Sequence, residues 1–236
     1  MKLLKFLALI LIIFSISSCN KTQEDATGIG DAIIVSKKSG ANIVYGYYLY
    51  AYTFSSFQSI KAELVNNIVA DVVYNLKSNQ GYKTNFYYET PDAEFTMIRP
   101  TASVFNFSAV FENGATGQFQ DDVSDKVLAV PVIDNEKTVY NSTNQELGIY
   151  WAAVPDANSY AINIFDGPNL VYSSIELANT VKYYAVGAVS GWATGITPVV
   201  DKKYTVRLLA FLYEPNGNSY NIQAISIADK EITWGK

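Results

Sequence analysis

One aromatic run restricts the fold of this chain more strongly than any other feature. Residues 42–54 read NIVYGYYLYAYTF, and most of these side chains are aromatic or β-branched. Such side chains pack well on the pleated surface of a strand and are weaker helix formers. Similar short runs recur, including AEFTMI at residues 93–98, with turn signals such as Asn113-Gly114 between them. Short strands separated by tight turns predict an all-β protein of the sandwich type.

The pattern of one segment is compatible with either a helix or a β-hairpin. Residues 60–76 read IKAELVNNIVADVVYNL, and their apolar side chains recur at the three- and four-residue spacing of a helix. Many of them are β-branched, however, and the Asn66-Asn67 pair suits the turn of a hairpin. Because the surrounding segments read as strands, we predict the hairpin and keep the helix as the alternative.

The N-terminus has the layout of a secretory signal. Lys2 and Lys5 precede an apolar run that ends at Ile16, and small residues follow at Ser17 and Ser18. This run is about half as long as the roughly 20 apolar residues that a membrane-spanning helix needs. A basic start, a short apolar stretch and small residues together predict a signal peptide over residues 1–18.

The four residues Ile16-Ser17-Ser18-Cys19 resemble the lipobox of bacterial lipoproteins. The resemblance implies cleavage before Cys19 and acylation of that cysteine. The polar, glycine-containing composition up to Gly30 predicts a flexible tether, so residues 19–30 are interpreted as the lipidated cysteine and its tether. Two or more acyl chains hold a protein stably on a membrane, so the implied partner is a bilayer of the cell envelope. Asn20 is compatible with the outer membrane, and Glu24 and Asp25 resemble the export signals of surface-exposed lipoproteins. The alternative is an ordinary signal peptide with an incidental cysteine.

The second half of the chain resembles a fibronectin type III domain. Trp151 is followed by Val154-Pro155 and by Tyr160, which opens an alternating strand, and Tyr204 begins the later segment YTVRL. The resemblance covers residues 126–236 and implies an immunoglobulin-like sandwich. It also implies that Trp151 lies in the core and that the Tyr204 hydroxyl bonds to the backbone upstream, as a tyrosine corner.

The sequence departs from the family pattern in one segment. The segment between Ile164 and Tyr204 is longer than the family pattern, and we interpret it as an insertion. Residues 31–123 are predicted to form another immunoglobulin-like sandwich, although no tryptophan anchors it. The predicted architecture is therefore two immunoglobulin-like or fibronectin type III-like β-sandwich domains in tandem after a signal peptide.

The composition excludes most catalytic chemistry. The chain has no histidine, and Cys19 is its only cysteine, so His-based triads and zinc sites are excluded. A pair of carboxylates would suffice for glycoside hydrolysis, but no spacing singles out such a pair. We therefore predict no enzyme activity and no cofactor. A net charge of −5 argues against a nucleic acid partner, because phosphate backbones are bound by Lys and Arg.

Clustered aromatic residues are the better candidates for a binding surface, because flat rings offer a large contact area at little entropic cost. The alternative for each is packing inside the fold. The candidate ligand-binding aromatics are Tyr48, Tyr50, Tyr183, Tyr184 and Trp192.

One acidic cluster is a weaker candidate, for calcium. Its carboxylates are hard oxygen ligands, but their spacing matches no calcium loop and a solvated linker is the alternative. The cluster consists of Asp121, Asp122 and Asp125.

These features together predict a lipid-anchored, non-catalytic interaction module, adhesin-like or accessory to a surface assembly. The first alternative is a glycan-binding surface lipoprotein that stacks sugars on exposed Tyr or Trp. A carboxylate-based hydrolase is the second alternative and the least favoured. No motif in the sequence identifies a protein or glycan partner of this chain.

Overall fold

The computed structural model describes residues 26–65, 72–215 and 221–236. Strands dominate these residues, with one short 3-10 turn at Asp92–Glu94. No helix in the described ranges is long and apolar enough to cross a membrane. The strands are β1 (Ile29–Ser39), β2 (Asn42–Tyr52), β3 (Phe57–Val65), β4 (Val72–Asn75), β5 (Lys77–Asn79), β6 (Tyr82–Glu89), β7 (Ser103–Phe111), β8 (Thr116–Val123), β9 (Val139–Asn141), β10 (Glu146–Tyr150), β11 (Ser159–Asp166), β12 (Asn169–Ser173), β13 (Leu177–Ala178), β14 (Tyr183–Gly187), β15 (Lys203–Tyr213) and β16 (Ile222–Thr233).

The strands form one long sheet and two short ones. The long sheet has the order β12-β11-β15-β16-β1-β2-β6-β5, and β13 also pairs with β11. One short sheet has the order β4-β3-β7-β8 and the other β14-β10-β9. Each short sheet packs on one half of the long sheet and buries a core there. The predicted all-β, sandwich-type fold is therefore confirmed.

The first core lies between the long sheet and the sheet β4-β3-β7-β8, and alternation along β1 determines which of its side chains enter this core. Ala32 and Ile34 face the short sheet, where they meet large rings from β7 such as Phe105 and Phe107. Both rings are fully buried. Rings of this size contribute most of the buried apolar area, and they replace the tryptophan that this half of the sequence lacks.

The second core surrounds Trp151, as the sequence predicts. Trp151 is 4% exposed, and its ring meets that of Tyr160 edge-on with centroids 5.5 Å apart. The Tyr204 hydroxyl accepts a hydrogen bond from the backbone N–H of Val199 at 3.1 Å. This bond reaches five residues upstream, so the predicted tyrosine corner is present. The Tyr160 hydroxyl makes a similar bond with the backbone N–H of Val154 at 2.8 Å.

The two halves share the long sheet, which the sequence does not indicate. β1 and β16 pair in parallel, with Ile34 opposite Ala224 and Lys37 opposite Ile227. The connecting segment crosses these two strands, because Ser36 donates to the carbonyl of Leu128 at 3.2 Å and Ser226 to that of Ala129 at 2.8 Å. The boundaries at residues 123 and 126 stay a prediction.

The described parts of the ambiguous segment at residues 60–76 pair as the two strands of a hairpin. β3 and β4 pair antiparallel, with Leu64 opposite Val72 and Lys61 opposite Asn75. The Asn66-Asn67 pair lies outside the described residues. The preference of β-branched side chains for strands therefore outweighs the helical spacing.

The strand predicted at residues 93–98 is wrong. Only Thr96 pairs there, in a single bridge to Tyr45, and the preceding residues form the 3-10 turn. β6 pairs with β2 only from Tyr48 to Tyr52, and Thr96 reaches the remaining part of that edge in one bridge. Phe95 instead packs on the outer face of the long sheet, where the Lys37 ammonium lies 3.8 Å from its ring centroid.

Candidate binding surface

A pair of tyrosines, of which Tyr183 is exposed and Tyr150 half-buried, lies on the outer face of the short sheet β14-β10-β9. Tyr150 on β10 is directly opposite Tyr183 on β14, and their ring centroids are 4.5 Å apart. Alternation explains this placement: Trp151 and Ile149 enter the core, so Tyr150 between them faces outward. Tyr183 is 43% exposed. We call Tyr150, Tyr183 and their neighbours on this face the Tyr150–Tyr183 surface.

A glycine leaves room for the two rings. A Cβ atom on Gly148 would lie 3.2 Å from the Tyr183 ring and 3.4 Å from the Tyr150 ring. Because no side chain rises from this position, the rings spread along the face of the sheet. Val139 on β9 is opposite Gly148 and 53% exposed, so it extends the apolar area on this face.

A carboxylate borders the apolar area. Glu146 lies two residues from Gly148 on the same strand and therefore on the same face. Partial burial, then the Tyr150 hydroxyl and the Glu146 carboxylate, raise the pKa of Tyr183 above its ordinary value. The phenol stays protonated and can donate as well as accept a hydrogen bond. This face therefore offers two rings, an apolar side chain and polar groups at its border.

Tyr184 and Trp192, which the sequence groups with Tyr183, lie elsewhere. Tyr184 faces the core, where its hydroxyl is 3.0 Å from that of Tyr172. The Trp192 indole donates to the carbonyl of Gly187 at 2.9 Å, and its ring meets that of Trp234 edge-on. Both side chains close the second core and do not join Tyr183 in one surface.

Tyr48 and Tyr50 lie on the outer face of the long sheet, far along the chain from Tyr183. They pack beside a buried apolar cluster that includes Ile33 and Ile225. Burial, followed by the charge of Glu89, raises the pKa of Tyr48 to about 12 and that of Tyr50 further. Their rings are half-buried among apolar neighbours, so they offer less free ring area than Tyr183.

Asp121 in the acidic cluster is half-buried, whereas Asp122 and Asp125 are exposed. Asp121 accepts a hydrogen bond from the backbone N–H of Ala32 at 2.7 Å, which ties β8 to β1. Burial raises the pKa of Asp121 to about 6, although this hydrogen bond opposes the rise. Asp122 and Asp125 follow on the same segment. Within the described ranges no three acidic side chains come together as a metal site would require.

A cavity between the two halves is cationic. It has a volume of about 710 Å³ and is lined by Arg99, Lys126 and Lys182, with Asp156 as the single carboxylate. Acid-catalysed glycoside hydrolysis needs two carboxylates across a cleft. This cavity therefore does not have the arrangement of a carboxylate-based hydrolase.

No protein-family model matches the sequence, and no curated protein is significantly similar to it. Three solved structures are among those to which the chain is similar. The tetra-tandem repeat from the extending region of a large adhesion protein is 12% identical, with a TM-score of 0.27 over 88% of this chain and 50% of that one. A cytokine receptor complex is 12% identical, with a TM-score of 0.29 over 87% and 97%.

The third is a structure concerned with host cell surface retention of a 1.5-MDa bacterial ice-binding adhesin. It is 15% identical, with a TM-score of 0.29 over 88% of this chain and 64% of that one. The chain thus spans half of the adhesion repeat and about two thirds of the ice-binding adhesin structure. Neither a role nor a partner of this chain follows from a likeness of this size.

Proposed function

We propose that this protein is a lipid-anchored, non-catalytic binding module of the cell envelope. Its binding surface is the Tyr150–Tyr183 surface, and its anchor is the acylated Cys19 implied by the lipobox-like residues. The observation that carries the proposal is the contact of the exposed Tyr183 ring with the half-buried Tyr150 ring, on the same sheet face as the exposed Val139. Exposed apolar patches with polar borders are typical of protein interaction sites.

The anchor and the binding surface are tested separately. Replacing Cys19 with Ala removes the acylation site, and the protein is then expected to leave the membrane fraction for the soluble one. The Cys19→Ser variant serves as a second thiol-free chain. If both variants remain with the membrane fraction, the lipid anchor is wrong, whatever the binding surface does.

The binding surface is tested by photo-crosslinking in whole cells. A benzoylphenylalanine in place of Tyr183 is expected to give a specific adduct with a partner on the envelope. The matched control places the same residue at Ile98, which is 79% exposed and lies in the other half of the chain. Loss of the adduct in the Tyr150→Ala background would support the surface. Adducts of equal yield from both positions would refute it.

Glycan binding is a second candidate, favoured by the Glu146 carboxylate beside two tyrosine rings. Sugars stack on aromatic faces and need polar groups at the border for their hydroxyls. A glycan array with the chain beginning at Asn20 tests this directly. Because anchor side chains at binding sites often contribute 2 kcal/mol or more, Tyr183→Ala is expected to weaken binding at least about 30-fold. Tyr82→Ala is expected to leave it unchanged.

A further inference from the structure

We propose that the end of the first sandwich where the described chain begins rests on the lipid surface, through Ile29, Tyr52, Phe54 and Tyr82. The proposal rests on the lipid anchor at Cys19 put forward above. It adds a second attachment to that anchor, made by protein side chains, and thereby defines which end of the molecule faces the bilayer.

These four side chains are large and exposed, and they lie at the same end of the long sheet. Ile29 is opposite Tyr52 in the sheet, and the Tyr52 and Phe54 ring centroids are 5.2 Å apart. β6 begins at Tyr82, three residues beyond the partner of Tyr52, and therefore starts at the same end. Their exposed fractions are 66% for Ile29, 43% for Tyr52, 89% for Phe54 and 65% for Tyr82.

The chain that leads to Cys19 starts from this end. The Thr27 carbonyl accepts a hydrogen bond from the Thr53 hydroxyl at 2.6 Å, immediately before Phe54. Seven residue-to-residue steps separate Cys19 from Ala26, and at full extension they span at most about 25 Å. An acyl chain on Cys19 therefore holds this end close to the headgroups.

The opposite end of the molecule lies too far away to compete for the same contact. β16 runs parallel to β1 and continues six residues beyond their last pair, Lys37 and Ile227. At about 3.3 Å per residue, Thr233 lies about 45 Å from Ile29 along the sheet. Trp234 and the Trp192 segment lie at that far end, with Val189 three residues before Trp192 and 95% exposed.

The chemistry of this end suits a headgroup layer. Tyrosine rings favour the membrane interface, where one part of the ring is apolar and the hydroxyl stays wet. The charged pair at this end, Lys83 and Glu112, forms an ion pair and adds no net charge. A lipid surface is favoured over a second copy of the chain because the anchor keeps the first within reach at all times.

The test supplies the anchor chemically, so that it does not depend on natural acylation. A chain beginning at Cys19 is coupled through its single thiol to maleimide lipid in phosphatidylcholine vesicles. Phe54→Trp places a fluorophore at the proposed contact, and Val189→Trp places one at the far end. The fluorescence of the parent chain, whose three tryptophans lie in the second half, is subtracted.

Brominated phosphatidylcholine is expected to quench the indole introduced at position 54 and leave the far-end reporter unchanged. In the uncoupled chain beginning at Asn20, Phe54→Ser is expected to weaken vesicle binding about tenfold, which is the least that burying such a side chain contributes. Equal quenching at both positions, or none at position 54, would overturn the proposal. Concentration-dependent dimerisation through Phe54 without vesicles would overturn it as well, in favour of a second copy.

Natural acylation is settled independently by fractionation of the Cys19→Ala variant. A protein that fails to acylate in cells but is quenched on vesicles would retain the contact and lose the anchor. A protein that is acylated but not quenched would retain the anchor and lose the contact.

Discussion

Asp31 places a carboxyl group in a poor environment for a charge, on the outer face of the long sheet opposite Tyr50. Burial raises its pKa from 3.8 to about 7, and the nearby carboxylates of Asp121 and Glu214 add to the rise. In the described part of the chain, none of these three acids forms an ion pair with a Lys or Arg. Asp31 therefore destabilises the fold when it is ionised.

The direction in which pH changes the free energy of unfolding follows from the protons that each state binds. Between pH 4 and pH 7 the folded protein retains the Asp31 proton, whereas the unfolded chain releases it. The free energy of unfolding consequently falls as the pH rises through this range. Each pH unit is worth about 1.4 kcal/mol per proton, and the group retains some solvent contact. We expect Asp31 to cost on the order of 2–4 kcal/mol at pH 7.5.

Asp31→Asn keeps the shape and cannot ionise, so it is expected to raise stability at pH 7.5 and to leave it nearly unchanged at pH 4. Urea unfolding at several pH values, followed by tryptophan fluorescence, measures both effects if the denaturant slope stays constant. Asp92→Asn is the control, since the hydrogen bond from Lys37 lowers the pKa of Asp92 and the expected effect has the opposite sign. An Asp31→Asn protein no more stable than the parent at pH 7.5 would refute the argument.

Three further changes test the packing. Trp151→Ala should destabilise the protein by about 3–5 kcal/mol, and Trp151→Phe by much less, because the buried indole N–H has no hydrogen-bond partner to lose. Gly30→Ala should cost about 1–3 kcal/mol, since the new methyl group overlaps the Phe107 ring, whereas Gly187→Ala meets open space and should be neutral. Tyr204→Phe should cost about 1 kcal/mol through the lost corner hydrogen bond. Thermal and urea unfolding check all three predictions. Unchanged stability in a variant would show that the contact it removes or disturbs does not stabilise the fold.

The strands and turns could be predicted because they depend on local chemistry. β-Branched side chains decided the hairpin at residues 60–76, and the tryptophan at position 151 located the second core. The pairing of β1 with β16 could not be predicted, because it joins residues about 190 positions apart and leaves no periodic signal. Residues 93–98 alternate like a strand, but only Thr96 pairs with β2, whereas Phe95 packs on the outer face of the long sheet.

The candidate surface was only half visible in the sequence. The sequence groups Tyr183 with Tyr184 and Trp192, whereas the Tyr183 ring packs against that of Tyr150. The signal for Tyr150 was present, because a residue next to a core tryptophan on a strand must face outward. Trp192 shows the alternative that the sequence leaves open, which is packing. Its flanking glycines resemble an open loop, yet Gly191 adopts a φ of +86° and lies against Tyr172.

The shared sheet bears on how such a module could work from a short tether. Two sandwiches joined only by a linker would move relative to one another, as is usual between domains. Here the main-chain hydrogen bonds of β1 and β16 cross the junction, and Leu212 packs against both cores. Rotation at the junction would break those bonds and expose that contact. The Tyr150–Tyr183 surface is therefore carried on a continuous β-sheet structure, so an orientation imposed by the proposed contact at Phe54 would extend to the proposed binding surface as well.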